Sequence, residues 1–356
     1  MPHPFESLQP DDIVLDALPD EVLGSMESRD RWMAGLQGPE GGLEFMVADL
    51  QSWTPGQTVR VAFLGGSPEL HAKIEEATQP IVEAANLTLD FRTGDDFRTW
   101  TTQDVEYAGE IRVSFDHGGY FSLVGTDSVN PNIGLPQGTV GGRANQRSLN
   151  LGGFDVTLPA GWDRTTRHEF LHALAFHHEH QNMRGPCEAS FRWEDDPGYQ
   201  PTRDPRGAFV PDANGRRPGI YTYLSGFPNG WSKAKVDHNL RTNNDNPSVT
   251  TGPFDPASVM LYRFPPLFYR AQPSPCAPAG DGQGLSDGDV RGLRLLYPEQ
   301  AEALETIGSR REALLTTIEA VMEPGLESVD GDVSDLGSDA AGRLRASLEQ
   351  LPRGGA

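Results

Sequence analysis

The stretch HEFLHALAFHHEH, residues 168–180, determines what fold we expect of this chain. It contains H-E-x-x-H and a further histidine six residues after the second one. On a helix, His168 and His172 are four residues apart and lie on the same face. Two neutral imidazoles there can bind one zinc ion at roughly 2.0–2.1 Å. Glu169 is then placed to bond a metal-bound water rather than the metal.

His178 lies too far along the chain to bind the same ion from one straight helix. We therefore expect the helix to break near Ala175 and the chain to turn back, so that His178 supplies a third nitrogen. Three protein ligands with one open position are typical of catalytic zinc. The alternative is a helix with exposed histidines, and the agreement of four residues in type and spacing disfavours it.

The stretch resembles the metzincin signature H-E-x-x-H-x-x-G-x-x-H, and Glu179 after the third histidine resembles the astacin branch. Ala175 stands where the family has glycine, at a turn that alanine adopts less readily. The resemblance implies a zinc-dependent metalloendopeptidase with one Zn²⁺ per chain and protein or peptide substrates. His168, His172 and His178 would be the ligands. Glu169 would assist a zinc-bound water in hydrolysing the peptide bond.

A second stretch, DPASVMLY at residues 255–262, resembles the Met-turn of astacins. The resemblance implies that Met260 forms an apolar floor under the three imidazoles. It also implies that Tyr262 reaches the metal or the substrate oxyanion. The motif is weak alone, and it gains weight because it follows the zinc motif by about eighty residues.

Apolar periodicity gives the elements before the zinc motif. We expect a helix over 70–81, which Pro80 should kink or end early. We expect strands over 58–64, 87–91, 111–115, 120–124 and 148–151. The resemblance implies an α+β, metzincin-like zincin. An upper subdomain (51–178) would hold a twisted five-stranded mixed sheet and the zinc helix, and a lower subdomain (179–298) would be loop-rich.

The resemblance makes the strand near 118–127 an antiparallel edge above the cleft. Tyr120, Phe121 and Ser122 would then bind an extended substrate through main-chain hydrogen bonds. An ordinary strand of a half-buried sheet is the equally weighted alternative. His177 and His180 lack the ligand spacing, and we interpret them as facing solvent or contacting the ligands without binding metal.

Capping residues bound the later helices. Asp163 is expected to cap the zinc helix and Ser286 the closing helix of the catalytic domain. Another helix is expected over 231–240. Beyond 298, the tail (299–356) reads as helices over about 299–322 and 339–350, joined by an acidic linker that includes 330–335. We expect a partly flexible tail.

Residues 1–50 are interpreted as an extension packed on the domain, with a short helix over 11–23, and an inhibitory pro-segment is the alternative. No cysteine precedes Cys187, so a thiolate switch is excluded. Cys187 and Cys276 can form one disulfide or remain free thiols. The resemblance to exported enzymes favours the disulfide.

Composition limits the partners of this 356-residue chain. Its formal net charge of −22 repels nucleic acid and favours cationic substrates. No apolar run suggests a membrane span, and MPHPFESLQP does not read as a secretory signal. Localisation therefore stays open, since only the resemblance suggests secretion, and nothing indicates an oligomeric state.

Two rival functions remain. A matrixin-like, calcium-requiring peptidase shares the zinc motif. The presence of Glu179 and Tyr262 disfavours this alternative. A zinc-binding protein without catalysis is disfavoured by Glu169 and Tyr262, while Ala175 leaves it open.

Overall fold

The computed structural model describes residues 17–36, 48–242, 252–280, 282–322 and 331–351. The α-helices in these ranges are α1 (Asp20–Gly35), α2 (Pro68–Ala84), α3 (Trp162–Ala173), α4 (Cys187–Ser190), α5 (Ile220–Leu224), α6 (Lys233–Leu240), α7 (Asp287–Leu296), α8 (Ala301–Met322) and α9 (Gly331–Gln350). The strands are β1 (Thr58–Leu64), β2 (Thr88–Asp90), β3 (Arg92–Thr93), β4 (Asp96–Phe97), β5 (Ile111–Ser114), β6 (Tyr120–Ser122), β7 (Leu149–Leu151), β8 (Thr202–Arg203) and β9 (Phe209–Val210). Short 3₁₀ helices cover Gly125–Val129, Glu179–Gln181 and Pro266–Phe268.

Five strands form one mixed sheet in the order β2-β1-β5-β7-β6. Strand β1 runs parallel to β2 and β5, and β5 runs parallel to β7. The last strand, β6, is antiparallel to β7, with Tyr120 opposite Leu151. The α+β class, the five-stranded mixed sheet and its antiparallel edge strand are confirmed.

Helices α2 and α3 pack together against this sheet and bury the main apolar cluster. The helix expected over 70–81 runs from Pro68 to Ala84, so the expected early end at Pro80 is wrong. Proline removes one backbone hydrogen bond. Ile81, next in sequence, is fully buried in the main cluster, and its burial offsets that loss by about 2 kcal/mol.

A second apolar cluster lies in the loop-rich half of the domain, around Phe191 and Phe268. Cys187 and Cys276 form a disulfide inside it, with both residues almost fully buried. The alternative of free thiols is therefore wrong. Within the Met-turn, Val259 and Met260 belong to the main cluster, and Leu261 and Tyr262 belong to the second. The Met-turn thus joins the two halves.

The N-terminal helix and the C-terminal helix pair pack on each other. Met33 and Leu36 join residues of α8 and α9 in a third apolar cluster. Of the helix expected over 11–23, residues 11–16 lie outside the described residues, and α1 begins at Asp20 and continues to Gly35.

The C-terminal helix α9 begins at Gly331, so a linker over 330–335 is wrong for 331–335. Acidic residues favour the first turn of a helix through its dipole, and composition alone does not distinguish that turn from a linker. Among the described residues, no helix is long and apolar enough to cross a membrane.

Candidate metal centre

Helix α3 carries the first two histidines. It is preceded by Gly161 as the N-cap, at φ 72°, and not by Asp163 as expected. A left-handed cap conformation suits glycine because it has no Cβ. Asp163 lies in the first turn and bonds Arg167 one turn later at 3.0 Å, where its charge also favours the helix dipole.

The helix ends at Ala173, and the expected break near Ala175 is confirmed. Ala175 has φ 70°, the only positive φ of a non-glycine residue in the described ranges. The chain then reverses, and the Nε2 atoms of His172 and His178 lie 2.9 Å apart. The turn therefore delivers the third imidazole to the first two.

The three imidazoles fit a zinc ion. One ligand nitrogen from each of His168, His172 and His178 lies within 4.8 Å of the others. The Nδ1 atoms of His168 and His172 donate to the carbonyls of Val259 (2.9 Å) and Phe176 (2.7 Å). Because carbonyl oxygens only accept, the lone pairs of these two neutral rings are on Nε2. Three neutral imidazoles are a donor set that zinc prefers.

Glu169 lies in the same cavity, which has a volume of about 70 Å³ and is also lined by His172 and His178. Its side chain is almost fully buried. Burial, and next the charge of Glu169, raise the pKa of Tyr120 on the edge strand. Phe121 and Ser122 line the cavity too. The three edge-strand residues assigned to substrate thus lie at or near the metal site, and their role stays a prediction.

The Met-turn residues lie against the ligands. Met260 is buried in the main apolar cluster, and its carbonyl accepts from the Glu179 amide at 3.0 Å. The ring centroid of Tyr262 is 4.3 Å from that of His178 and 5.7 Å from that of His168. The roles assigned to Met260 and Tyr262 remain predictions.

Glu179 links the third histidine to the Met-turn by its side chain as well. Its carboxylate accepts from Asn182 Nδ2 at 2.9 Å and from the Asp255 amide at 2.8 Å. Burial raises the pKa of Glu179 to about 7, and the two hydrogen bonds oppose that shift. The sequence identified this residue only through its family resemblance.

The two additional histidines differ from each other. His180 is fully buried, and its Nε2 is 2.8 Å from the carbonyl of Asn239. The expectation that it faces solvent is wrong: its ring centroid is 5.0 Å from that of His178. That it does not bind metal stays a prediction. His177 is half-buried, and burial lowers its pKa to about 3.

Helix α1 lies over this site, a position that only the alternative of an inhibitory pro-segment over residues 1–50 implied. Leu18 before the helix, and Met26, Arg29 and Asp30 within it, line the cavity that holds Glu169. Apolar residues at helical spacing could have revealed the helix itself. No sequence signal indicated where it would pack.

Comparisons with known proteins found solved structures of similar architecture. One structure of myroilysin is 26% identical with a TM-score of 0.49, over 70% of this chain and 97% of that one. A second is 24% identical with a TM-score of 0.43, over 81% and 100%. High choriolytic enzyme 1, a hatching-enzyme zinc-protease from Oryzias latipes (medaka fish), is 17% identical with a TM-score of 0.37, over 67% and 88%. No protein-family model and no curated protein matches the chain.

Proposed function

We propose that this protein is a zinc-dependent metalloendopeptidase of the astacin-like metzincin type. One observation carries the proposal: one nitrogen from each of three imidazoles lies within 4.8 Å of the others, and two of these histidines, His172 and His178, line a small cavity together with Glu169. A structural zinc site has four protein ligands and no adjacent base. Of the described residues, only His168, His172 and His178 form such a metal-binding group.

In this proposal the three histidines hold one zinc ion. When bound there, zinc polarises a peptide carbonyl and acidifies a water molecule. Glu169 accepts the proton of that water as general base and later returns it to the leaving amine.

Tyr262 is proposed to donate a hydrogen bond from its phenol hydroxyl to the substrate oxygen on which negative charge develops. Its ring lies beside His178 and His168, on the ligand side of the cleft. A positioned donor of this kind contributes about 10²–10³-fold to turnover. Tyr120, Phe121 and Ser122 are proposed to hold an extended substrate along β6, whose outer side has no partner strand in the described sheet.

The test is cleavage of a protein substrate such as casein with and without a chelator, together with metal content. Glu169→Gln should keep the zinc and lose roughly 10²–10⁴-fold in kcat. Asp163→Asn, in the same helix and outside the metal cluster, is the matched control and should keep activity. Steady cleavage by Glu169→Gln would disprove the assignment. Zinc without any cleavage, both in the unaltered protein and in the variants below that release α1, would favour the non-catalytic alternative. A calcium requirement would favour the matrixin-like one.

We further propose that α1 keeps the described form of the protein latent, as a pro-segment does. The helix bridges the cleft: Asp20 pairs with Lys235 in α6 at 2.8 Å, and Arg29 pairs with the buried Asp127 next to the edge strand. The cavity that remains beside Glu169 has a volume of about 70 Å³, which is room for a few water molecules.

The contacts of α1 with the edge strand are apolar. Val22, Leu23 and Met26 pack on Phe121 and Leu123 in one buried cluster. An extended substrate on β6 would require this space. Latency therefore follows if the helix stays docked, and turnover requires that it move or be removed.

Two variants test latency in the full chain. Asp20→Lys should repel Lys235, and Arg29→Ala should remove the pair with Asp127, so both should raise cleavage above that of the unaltered protein. Arg31→Ala is the control, because Arg31 bonds only Glu27 and Ser28 of its own helix in the described contacts. If neither variant cleaves faster than Arg31→Ala, α1 does not limit access.

A further inference from the structure

His180 has an anchor that is independent of the metal. Its Nε2 lies 2.8 Å from the carbonyl oxygen of Asn239 in the last turn of α6. A carbonyl cannot donate, so Nε2 carries the proton and donates it. The side chain is fully buried. The imidazole is thus fixed in place by a helix of the loop-rich half of the domain.

The face of this fixed ring lies against Tyr262. The two ring centroids are 4.7 Å apart, with 28° between the planes. Phe264 meets both rings edge-on, at 5.1 Å from His180 and 5.4 Å from Tyr262. The tyrosine also contacts His178, at 4.3 Å between ring centroids, and His178 in turn stacks on His180 at 5.0 Å. The phenol ring of Tyr262 is therefore packed against an anchored imidazole and against His178.

We propose that His180 is a positioning residue: its ring, anchored at Asn239, holds the phenol of Tyr262 beside the metal-binding histidines. This inference rests on the catalytic role proposed above for Tyr262. His180 does not belong to the group of metal-ligand nitrogens in the described residues. Its Nε2 donates to a carbonyl, which leaves that atom no lone pair for a metal.

Histidine suits this position for a physical reason. A phenylalanine would offer the same stacking face and would leave the Asn239 carbonyl without its imidazole donor. An asparagine would keep a donor and would lose the face. The imidazole combines both functions in a site that is closed to water. An aromatic pair of this geometry corresponds to roughly 3- to 10-fold in an equilibrium or a rate.

A double-mutant cycle tests the proposal, with kcat and KM measured on one peptide for His180→Ala, Tyr262→Phe and the double variant. We expect His180→Ala to lower kcat about 3- to 10-fold with little change in KM. In the Tyr262→Phe background the same substitution should change kcat less than twofold, because the hydroxyl it positions is gone. Equal losses in both backgrounds would overturn the proposal.

Gln181→Ala is the matched control. Gln181 Nε2 donates to the carbonyls of His238 (2.9 Å) and Arg241 (3.4 Å), so it ties the same segment to the same end of α6. It has no ring with which to hold Tyr262. If Gln181→Ala lowers kcat as much as His180→Ala does, the effect is general loosening and the proposal fails. Loss of zinc from His180→Ala would also overturn it.

A readout that does not depend on activity separates this inference from the proposed function. The full chain is labelled with 3-fluorotyrosine, and the fluorine signal of residue 262 is assigned by its absence from Tyr262→Phe. We expect that signal to shift or broaden in His180→Ala and to stay unchanged in Gln181→Ala. An unchanged signal in His180→Ala would refute positioning. Absence of chelator-sensitive cleavage both in the unaltered protein and in Asp20→Lys and Arg29→Ala would refute the proposed function instead.

Discussion

Asp289 and His168 are connected through one residue, Val259. The carboxylate of Asp289 accepts the Val259 amide at 3.0 Å, and the Val259 carbonyl accepts Nδ1 of His168 at 2.9 Å. Asp289 also accepts from Ser258 Oγ at 2.6 Å and completes the capping box of α7 with Ser286. The first turn of the closing helix is therefore linked by hydrogen bonds to the Met-turn and, through it, to the imidazole of His168, a predicted metal ligand.

Substituting Asp289 should consequently weaken both stability and metal binding. Asp289→Ala leaves the buried amide of Val259 without its acceptor, and we expect a loss of about 3 kcal/mol in the free energy of unfolding. Zinc affinity should fall by about tenfold. Removing a hydrogen-bond partner of a metal-binding histidine lowers metal affinity by about 10–100-fold, and Asp289 acts on His168 through one further hydrogen bond. Urea denaturation and zinc titration measure the two effects. Asp287→Ala, in the same turn, is the control, and equal effects from both would contradict the link.

The third histidine should be indispensable for metal binding. We expect His178→Ala to lower zinc affinity by more than about 100-fold, because it removes one of three ligands and not merely a supporting partner. Metal content after dialysis against a weak chelator measures this. The neighbouring His177→Ala is the control and should retain zinc, since His177 lies outside the ligand group. Full metal content in His178→Ala would remove this residue from the site.

Substitution by glycine should cost less in the free energy of unfolding at Ala175 than at Ala173. At φ 70°, an alanine costs about 1–2 kcal/mol that glycine avoids. Glycine loses about 0.4–1 kcal/mol through the entropy of the unfolded chain. Ala175→Gly should therefore leave the unfolding free energy unchanged or raise it by up to about 1 kcal/mol. Ala173→Gly, at the last residue of α3, should lower it by at least about 0.5 kcal/mol, because a buried methyl group is lost. Equal losses would show that the turn is unstrained.

The disulfide should contribute strongly to stability. Cys187 and Cys276 are separated by 89 positions in sequence, and closing a loop of that length is worth about 4–5 kcal/mol in the chain-entropy account. The double variant Cys187→Ala, Cys276→Ala should lose an amount of that order in urea denaturation. The unaltered protein under a reductant should unfold at a similar urea concentration. A loss below about 1 kcal/mol would show that the two buried clusters suffice without the bond.

His71 should make the protein less stable in mild acid. It stacks on Phe63 with ring centroids 3.9 Å apart, and burial lowers its pKa below the usual 6.5. The unfolded chain then binds a proton more readily than the folded one does. The contribution of neutral His71 is fully present above pH 6.5 and is lost as the pH falls below it.

The comparison with His71→Phe isolates this effect. Between pH 7.5 and pH 5, the unfolding free energy of the unaltered protein should fall more than that of His71→Phe, because the phenyl ring has no proton to gain. Urea denaturation of both proteins in a chelator measures the difference, since the other histidines titrate alike in both. Parallel curves would show that His71 does not change its protonation between the two states.

Local sequence was sufficient to predict the group of three histidines and the turn within it. Spacing alone placed His168 and His172 on one face, because the period of a helix is fixed. It also required a break before His178, and the chain does break at Ala175. The Ser286 cap was predictable for the same reason, since its hydrogen bonds reach only three residues along the chain.

The tertiary structure decided what packs on those elements. The apolar face of α1 was present in the sequence, and a face does not specify its partner, here Phe121 and Leu123 on the edge strand. His180 acquires its anchor at Asn239 from a separate helix. The sequence determines which side chains share one face of a helix or strand, because backbone geometry is local. Which distant surfaces meet depends on shape complementarity and buried area over the whole domain. The packing of α1 over the cleft and of His180 on Tyr262 is therefore apparent only from the tertiary structure.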